Sequence, residues 1–338
     1  MNPHFLRTPL TTLTIAGVIA VVLPELASQA QMSGRTSPAA DAPPAWAYPT
    51  TIPGTDAPSG KSDARQHVPN SSVALTLAQT VDRFAAPDWH PSEHPVMPPV
   101  VAVGRRPSVF ACGYCHLPNG AGRAENAALA GLPTSYIEEQ VADFKSGARK
   151  GSVPAMTGLM ATVAKGVNDE EIKEAAEYFS KLKPPPDWIH VVKATVVPKT
   201  QVIPINVLVA VDGTATEPLG NRVIEVPVHK ERTIVRDSTA GYVAYVPEKS
   251  LARGRDLVLS GGAGKTIACT TCHGPDLRGV GGIPPLAGRS PSYLFRQLFD
   301  IKTGTRGGPM TPLMKAPVAN LTNDDMIAIV AYLASLPD

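Results

Sequence analysis

The chain has 338 residues, enough for two domains. A hydrophobic content of 43% supports packed cores, and a formal charge of only +2 excludes a nucleic-acid surface driven by bulk charge. Aromatic residues make up just 5%, so part of the core calls for a filler other than aromatic rings.

The start combines a charged stretch, Met1 to Arg7, an apolar run from Leu10 to Leu23, and small residues at Ser28 and Ala30. That is the layout of an export signal over residues 1–30 with cleavage after Ala30. The run is short for a bilayer span, and an uncleaved membrane anchor is the alternative. Residues 31–75 are rich in Pro, Ala, Ser, Thr and Asp, which predicts a disordered or loosely docked leader. Val73 to Phe84 is a short helix candidate. Pro87, Pro91, Pro95, Pro98 and Pro99 then impose an extended path, on which His90 and His94 read as surface-loop residues.

From there the chain repeats itself. Cys112-Gly-Tyr-Cys115-His116 returns as Cys269-Thr-Thr-Cys272-His273, 157 residues later. The same offset carries Leu129 onto Leu286, Tyr136 onto Tyr293, Gln140 onto Gln297 and Arg149 onto Arg306. After a three-residue deletion it carries Met156 and Met160 onto Met310 and Met314, and Tyr178 onto Tyr332. One supersecondary unit is used twice. In each copy the apolar spacing predicts a helix, over 136–146 and 293–303. A last helix follows, opened by Asn168 with Glu171 and by Thr322 with Asp325 in capping-box register. The predicted fold is mainly α. Two helical units, 76–186 and 251–338, are joined by a connecting segment, 187–250. Stretches 191–197, 202–211, 222–228 and 242–246 are rich in β-branched residues and read as short strands that pack on both units.

All four cysteines lie in the two C-x-x-C-H motifs. This is the attachment sequence of c-type haem, in which two thiols bind the haem vinyl groups and the adjacent imidazole sits under the iron. Zinc binding or disulfides leave the paired histidines unexplained. Cys112, Cys115, Cys269 and Cys272 are thus candidate attachment residues for two covalent haem c groups. His116 and His273 are candidate iron ligands.

With these motifs, the methionine pairs and the last helices, each copy resembles class I cytochrome c. The pair is similar to the tandem di-haem cytochromes of bacterial periplasm. The resemblance covers residues 100–186 and 251–338. It implies a periplasmic carrier passing electrons between redox protein partners, with a methionine from a loop before the last helix as sixth ligand. Met160 and Met314, each eight residues before a cap, are favoured, while the repeat leaves Met156 and Met310 open. Arg149 and Arg306 read either as partners of haem propionates or as solvated charges. A carbonyl at Pro284 or Pro285 is placed to orient His273. The first copy has alanines there, which predicts a different environment for its haem. Two alternatives stand beside the carrier. One is a cytochrome subunit of a dehydrogenase or oxidase complex. The other is a di-haem enzyme of peroxidase or thiosulfate-oxidising type, opposed by the methionines and the lack of a spare cysteine. Membrane association enters only through docking to a respiratory complex or through the anchor.

Overall fold

The computed structural model describes residues 42–50, 63–204 and 206–337. The predicted export signal, 1–30, lies outside the described residues. None of the described helices is long and apolar enough to cross a membrane.

A two-residue ladder, β1 (Arg65–Gln66) with β2 (Leu75–Thr76), leads into α1 (Leu77–Val81). The proline-rich stretch that follows runs through turns near 82–85 and 90–94, not along the extended path its prolines predict, until α2 (Pro99–Ala102), where Pro99 occupies the first helical turn and needs no amide donor. Then come α3 (Cys112–His116), α4 (Thr134–Ser146), α5 (Pro154–Gly166) and α6 (Asp169–Lys181). The second copy repeats the order with α8 (Ser250–Ser260), α9 (Thr270–His273), α10 (Pro291–Thr303), α11 (Thr311–Ala319) and α12 (Asn323–Ala334). The molecule is mainly helical, as the pattern predicts.

Repeated punctuation has repeated causes. Both α4 and α10 end on a glycine in the left-handed region, Gly147 at φ 78° and Gly304 at φ 80°, where a Cβ would be strained. Both capping boxes form: Asn168 accepts from the Glu171 amide, and Thr322 accepts from the Asp325 amide. The apolar faces of α6 and α12 then form the cores. Ala176 and Phe179 pack with Val100, Val101 and Ile137 in the first unit. Ile327, Val330 and Ala331 pack with Leu257, Val258, Phe295 and Phe299 in the second. The two copies differ in what crosses the last helix: α8 in the second unit, and only the single turn of α2 in the first.

The connecting segment holds β3 (Ile189–Lys193), β4 (Val196–Pro198), β5 (Thr200–Ile203), β6 (Val207–Ala210), β7 (Thr216–Pro218), β8 (Ile224–Pro227), α7 (Lys230–Ile234) and β9 (Tyr242–Val246). Parallel β3 and antiparallel β8 flank β9, with Ile189 opposite Tyr242 and Ile224 opposite Tyr245. Two smaller ladders, β4 with β7 and β5 with β6, complete it. Trp188 and Tyr242 pack on Leu117 and Ala121 of the first unit. Val223 and Val246 enter the core of the second. Buried Glu225 accepts from the Ser290 hydroxyl at 2.7 Å and the Ser292 amide at 3.1 Å, which fixes the start of α10.

Two local expectations differ from the structure. Within the predicted leader, Ala47 and Tyr48 are buried, Trp46 meets Phe295 at 4.6 Å, and the Tyr48 hydroxyl donates to Asp300 at 2.7 Å. Three residues with large or fitted side chains suffice to dock a segment whose average composition is polar. His90 and His94 are not surface-loop residues either. His90 is buried against Asp237 at 3.1 Å, and His94 bonds Asp88 at 3.1 Å and meets the Tyr178 hydroxyl. The neighbouring Trp89 is buried, and its indole donates to the Val235 carbonyl at 2.8 Å, so this proline-rich stretch is pinned to the connecting segment.

Candidate cofactor sites

Helical geometry brings residues i, i+3 and i+4 to one face. In α3 this places Cys112, Cys115 and His116 together, with both thiols unpaired. The His116 ring stands beside Phe179 at 6.3 Å. Its Nδ1 lies 2.8 Å from the Ala127 carbonyl, an acceptor, so Nδ1 carries the proton and Nε2 keeps a lone pair. Burial lowers the imidazole pKa and holds the ring neutral, the form that binds metal. Burial also pushes the Cys112 thiol up to about 12.

In front of these groups lies a cavity of about 230 Å³, lined by apolar residues including Val100, Leu129, Ile137, Val141 and Phe144, and by Met156 and Met160. An apolar cradle lined by two thiols, a neutral imidazole and two thioethers fits a covalently attached haem. Both methionines stand on helix α5 rather than on a loop, because Ala, Leu and Met favour helix and Pro154 starts one. Met156 also packs against the core of the second unit.

The second motif repeats the arrangement. Cys269 caps α9, and His273 is buried. The His273 Nδ1 donates to the Pro284 carbonyl at 2.9 Å, as its sequence position predicts. The alanines of the first copy, expected to give its haem a different environment, leave this brace in place. Ala127 stands 157 residues before Pro284 and supplies the same carbonyl, since any backbone residue can accept. Met314 is half-buried against the core, whereas Met310 is 49% exposed. Cys272 is exposed, unlike its counterpart Cys115.

Arg149 and Arg306 are not solvated charges. Each guanidinium bonds the glutamine of its own copy and the tyrosine and glutamine of the other. Arg149 donates to Gln140 at 2.8 Å and to Tyr293 and Gln297 at 2.9 Å. Arg306 donates to Gln297, Tyr136 and Gln140, each at 2.9 Å. Backbone bonds Lys150 to Thr305 and Gly307 to Ala148 flank the cluster. Arg149 also lines the cavity, where its charge can meet a carboxylate. Tyr136, Gln140 and their counterparts are visible in the sequence as identities at one offset, but nothing local says that they meet each other.

Two further groups at the first site escape sequence reading. Tyr48 reaches the cavity from the leader and Arg236 from the connecting segment. Neither sits in a motif, and each arrives from far along the chain.

Comparison with known proteins adds a family-model match and three relatives. A cytochrome c family model matches residues 253–337. Cytochrome c-554(547) of Halothiobacillus neapolitanus is 35% identical over 85 residues, which cover 22% of this chain and 93% of that protein. Two matches are longer. The thiosulfate dehydrogenase electron acceptor of Thiomonas intermedia (strain K12) is 28% identical over 68% of this chain and 81% of its own. Cytochrome c4 of Pseudomonas aeruginosa is 26% identical over 78% of this chain and 96% of its own.

Proposed function

The chain belongs to the cytochrome c family, as a di-haem electron-transfer member with two covalently bound haem c groups, and we propose that it is a periplasmic carrier with a histidine and a methionine on each iron. The bound haems supply a one-electron iron couple. The protein supplies everything around it. Cys112 with Cys115, and Cys269 with Cys272, form the thioether attachments. His116 and His273 ligate through Nε2, held in orientation by the Ala127 and Pro284 carbonyls. Met160 and Met314 would supply thioether sulfurs to the irons, a ligand choice that raises the potential relative to other ligand sets. Met156, partly buried against the other unit's core, and exposed Met310 are the methionines left without iron. We assign 76–186 and 251–338 to the haem units, 187–250 to the connecting segment, and 1–30 to the export signal.

The observation that carries this reading is the pair of Cys, Cys, His faces whose imidazoles are braced on carbonyls at one common offset. A site saturated by His and Met has no open position for substrate, so we read a carrier rather than an enzyme. Redox proteins are the partners. Similarity to a thiosulfate dehydrogenase electron acceptor over most of the chain supports a dehydrogenase of reduced sulfur compounds as the donor class.

The test is the far-red absorbance of the fully oxidised holoprotein, where a sulfur-to-iron band reports methionine ligation. We expect intensity for two haems, halved by Met160→Ala or by Met314→Ala and unchanged by Met156→Ala or Met310→Ala. Full intensity in Met160→Ala would overturn the assignment at the first site.

A further inference from the structure

The connecting segment sends Arg236 into the first of the two sites. Arg236 lies just past α7 at φ 63°, a turn that aims its side chain inward. It is 4% exposed and lines the same cavity as Cys115 and His116. Its Nη1 donates to the Tyr114 carbonyl at 2.9 Å, and its guanidinium lies 3.6 Å over the Tyr114 ring, between the two attachment cysteines. The residues around it are clamped. The Val235 carbonyl takes the Trp89 indole, Asp237 takes Arg232 at 2.7 Å and His90 at 3.1 Å, and the Ser238 carbonyl takes Asn119 at 2.9 Å. Around Cys115 the nearby charges are Arg236, Arg83 and the ion pair of buried Arg123 with Glu125 at 3.0 Å; the pair cancels, and of the charges left Arg236 acts most strongly. At the second site the residue matching Tyr114 is Thr271, and both it and Cys272 are exposed to water.

A ferric centre carries one more positive charge than a ferrous one. A fixed cation held close in a poorly solvated pocket therefore favours the reduced state. We propose that Arg236 is a positioning residue that sets the reduction potential of the first haem above that of the second. A single electron shared between the sites then rests at the first, and the exposed second site is the one through which it exchanges. This builds on the reading that each motif carries a haem.

The test is a redox titration of the full holoprotein followed by absorbance. In the unmutated chain, nuclear Overhauser contacts from the haem methyls to Tyr114 or to Thr271 assign each step. We expect the first haem to titrate at the higher potential. Arg236→Met should shift the electron-sharing equilibrium at least tenfold toward the second site, about 59 mV for one electron. Arg236→Lys should restore most of it, and the second step and the far-red sulfur band should stay in place. An unmoved first step in folded Arg236→Met would overturn the proposal. So would a first haem that titrates at or below the second in the unmutated chain, a result that does not depend on any variant folding. One haem per chain would bring down the two-haem reading, and the inference with it.

Discussion

Asp325 caps the last helix of the second unit and is buried, a position that by itself would raise its pKa. The Thr322 amide at 2.9 Å, the Thr322 hydroxyl at 2.8 Å and the Arg253 guanidinium outweigh burial and hold the carboxyl at about 2. Its folded-state value lies below the ordinary 3.8, so its contribution is complete above about pH 4 and is lost as pH falls toward 2. Urea unfolding at pH 5 and at pH 2.5 should show Asp325→Asn losing on the order of 1 kcal/mol at the higher pH and little at the lower. An equal loss at both would refute the charge argument. The cap itself is readable from sequence, because its partners lie within three residues. So are the Cys, Cys, His faces, for the same reason. Arg236 was illegible at this scale, since its contact with Tyr114 spans 122 residues and leaves no local trace.

At the scale of elements, α8 and α12 cross at backbone contact. A Cβ on Gly254 would lie 1.9 Å from the Ala328 carbonyl oxygen, so the glycine is what allows the approach. Gly254→Val should lower stability by about 3 kcal/mol, near the upper end of the usual overpacking range, and thermal denaturation should show the loss. A Tm within a degree of the parent would mean that the crossing yields easily. Strand positions were legible because β-branched runs broken by Pro and Gly leave few other options. The strand from 242 to 246 matches its prediction residue for residue, and the stretch from 202 to 211 resolves into a hairpin. The methionine-bearing helices were not. Their composition favours helix, but the resemblance that guided the reading implies a loop, and α11 even carries Pro317 inside. Nor was the short α2 visible, because four residues are too few for a period.

For the whole molecule, the exchange of tyrosine, glutamine and arginine contacts decides how the halves respond together. Replacing Arg306 with Met leaves the Tyr136 hydroxyl without this donor and removes one of the two guanidinium bonds to each glutamine oxygen. Unmet buried groups of this kind cost about 1–3 kcal/mol. Calorimetry of Arg306→Met should show the melting of the two haem units drawing apart, with the midpoint of the first to melt lowered. A transition superimposable on the parent's would mean that the cluster does not couple them. The sequence displays all six residues at matching positions, yet their meeting is a fact of space: each copy's tyrosine and arginine are aligned in the chain but bond across it.

That exchange has the form of an isologous contact, the kind by which two identical subunits pair, with the same patch offered from both sides. Here both patches belong to one chain, and the strand-rich segment between them acts as tether. Separate subunits joined through so small a polar cluster would part on dilution. Tethered patches meet at an effective concentration set by the linker and not by the abundance of the protein. The two haem sites therefore stay paired however scarce the molecule is, so the passage of an electron between them is first order and takes no account of how often two proteins collide.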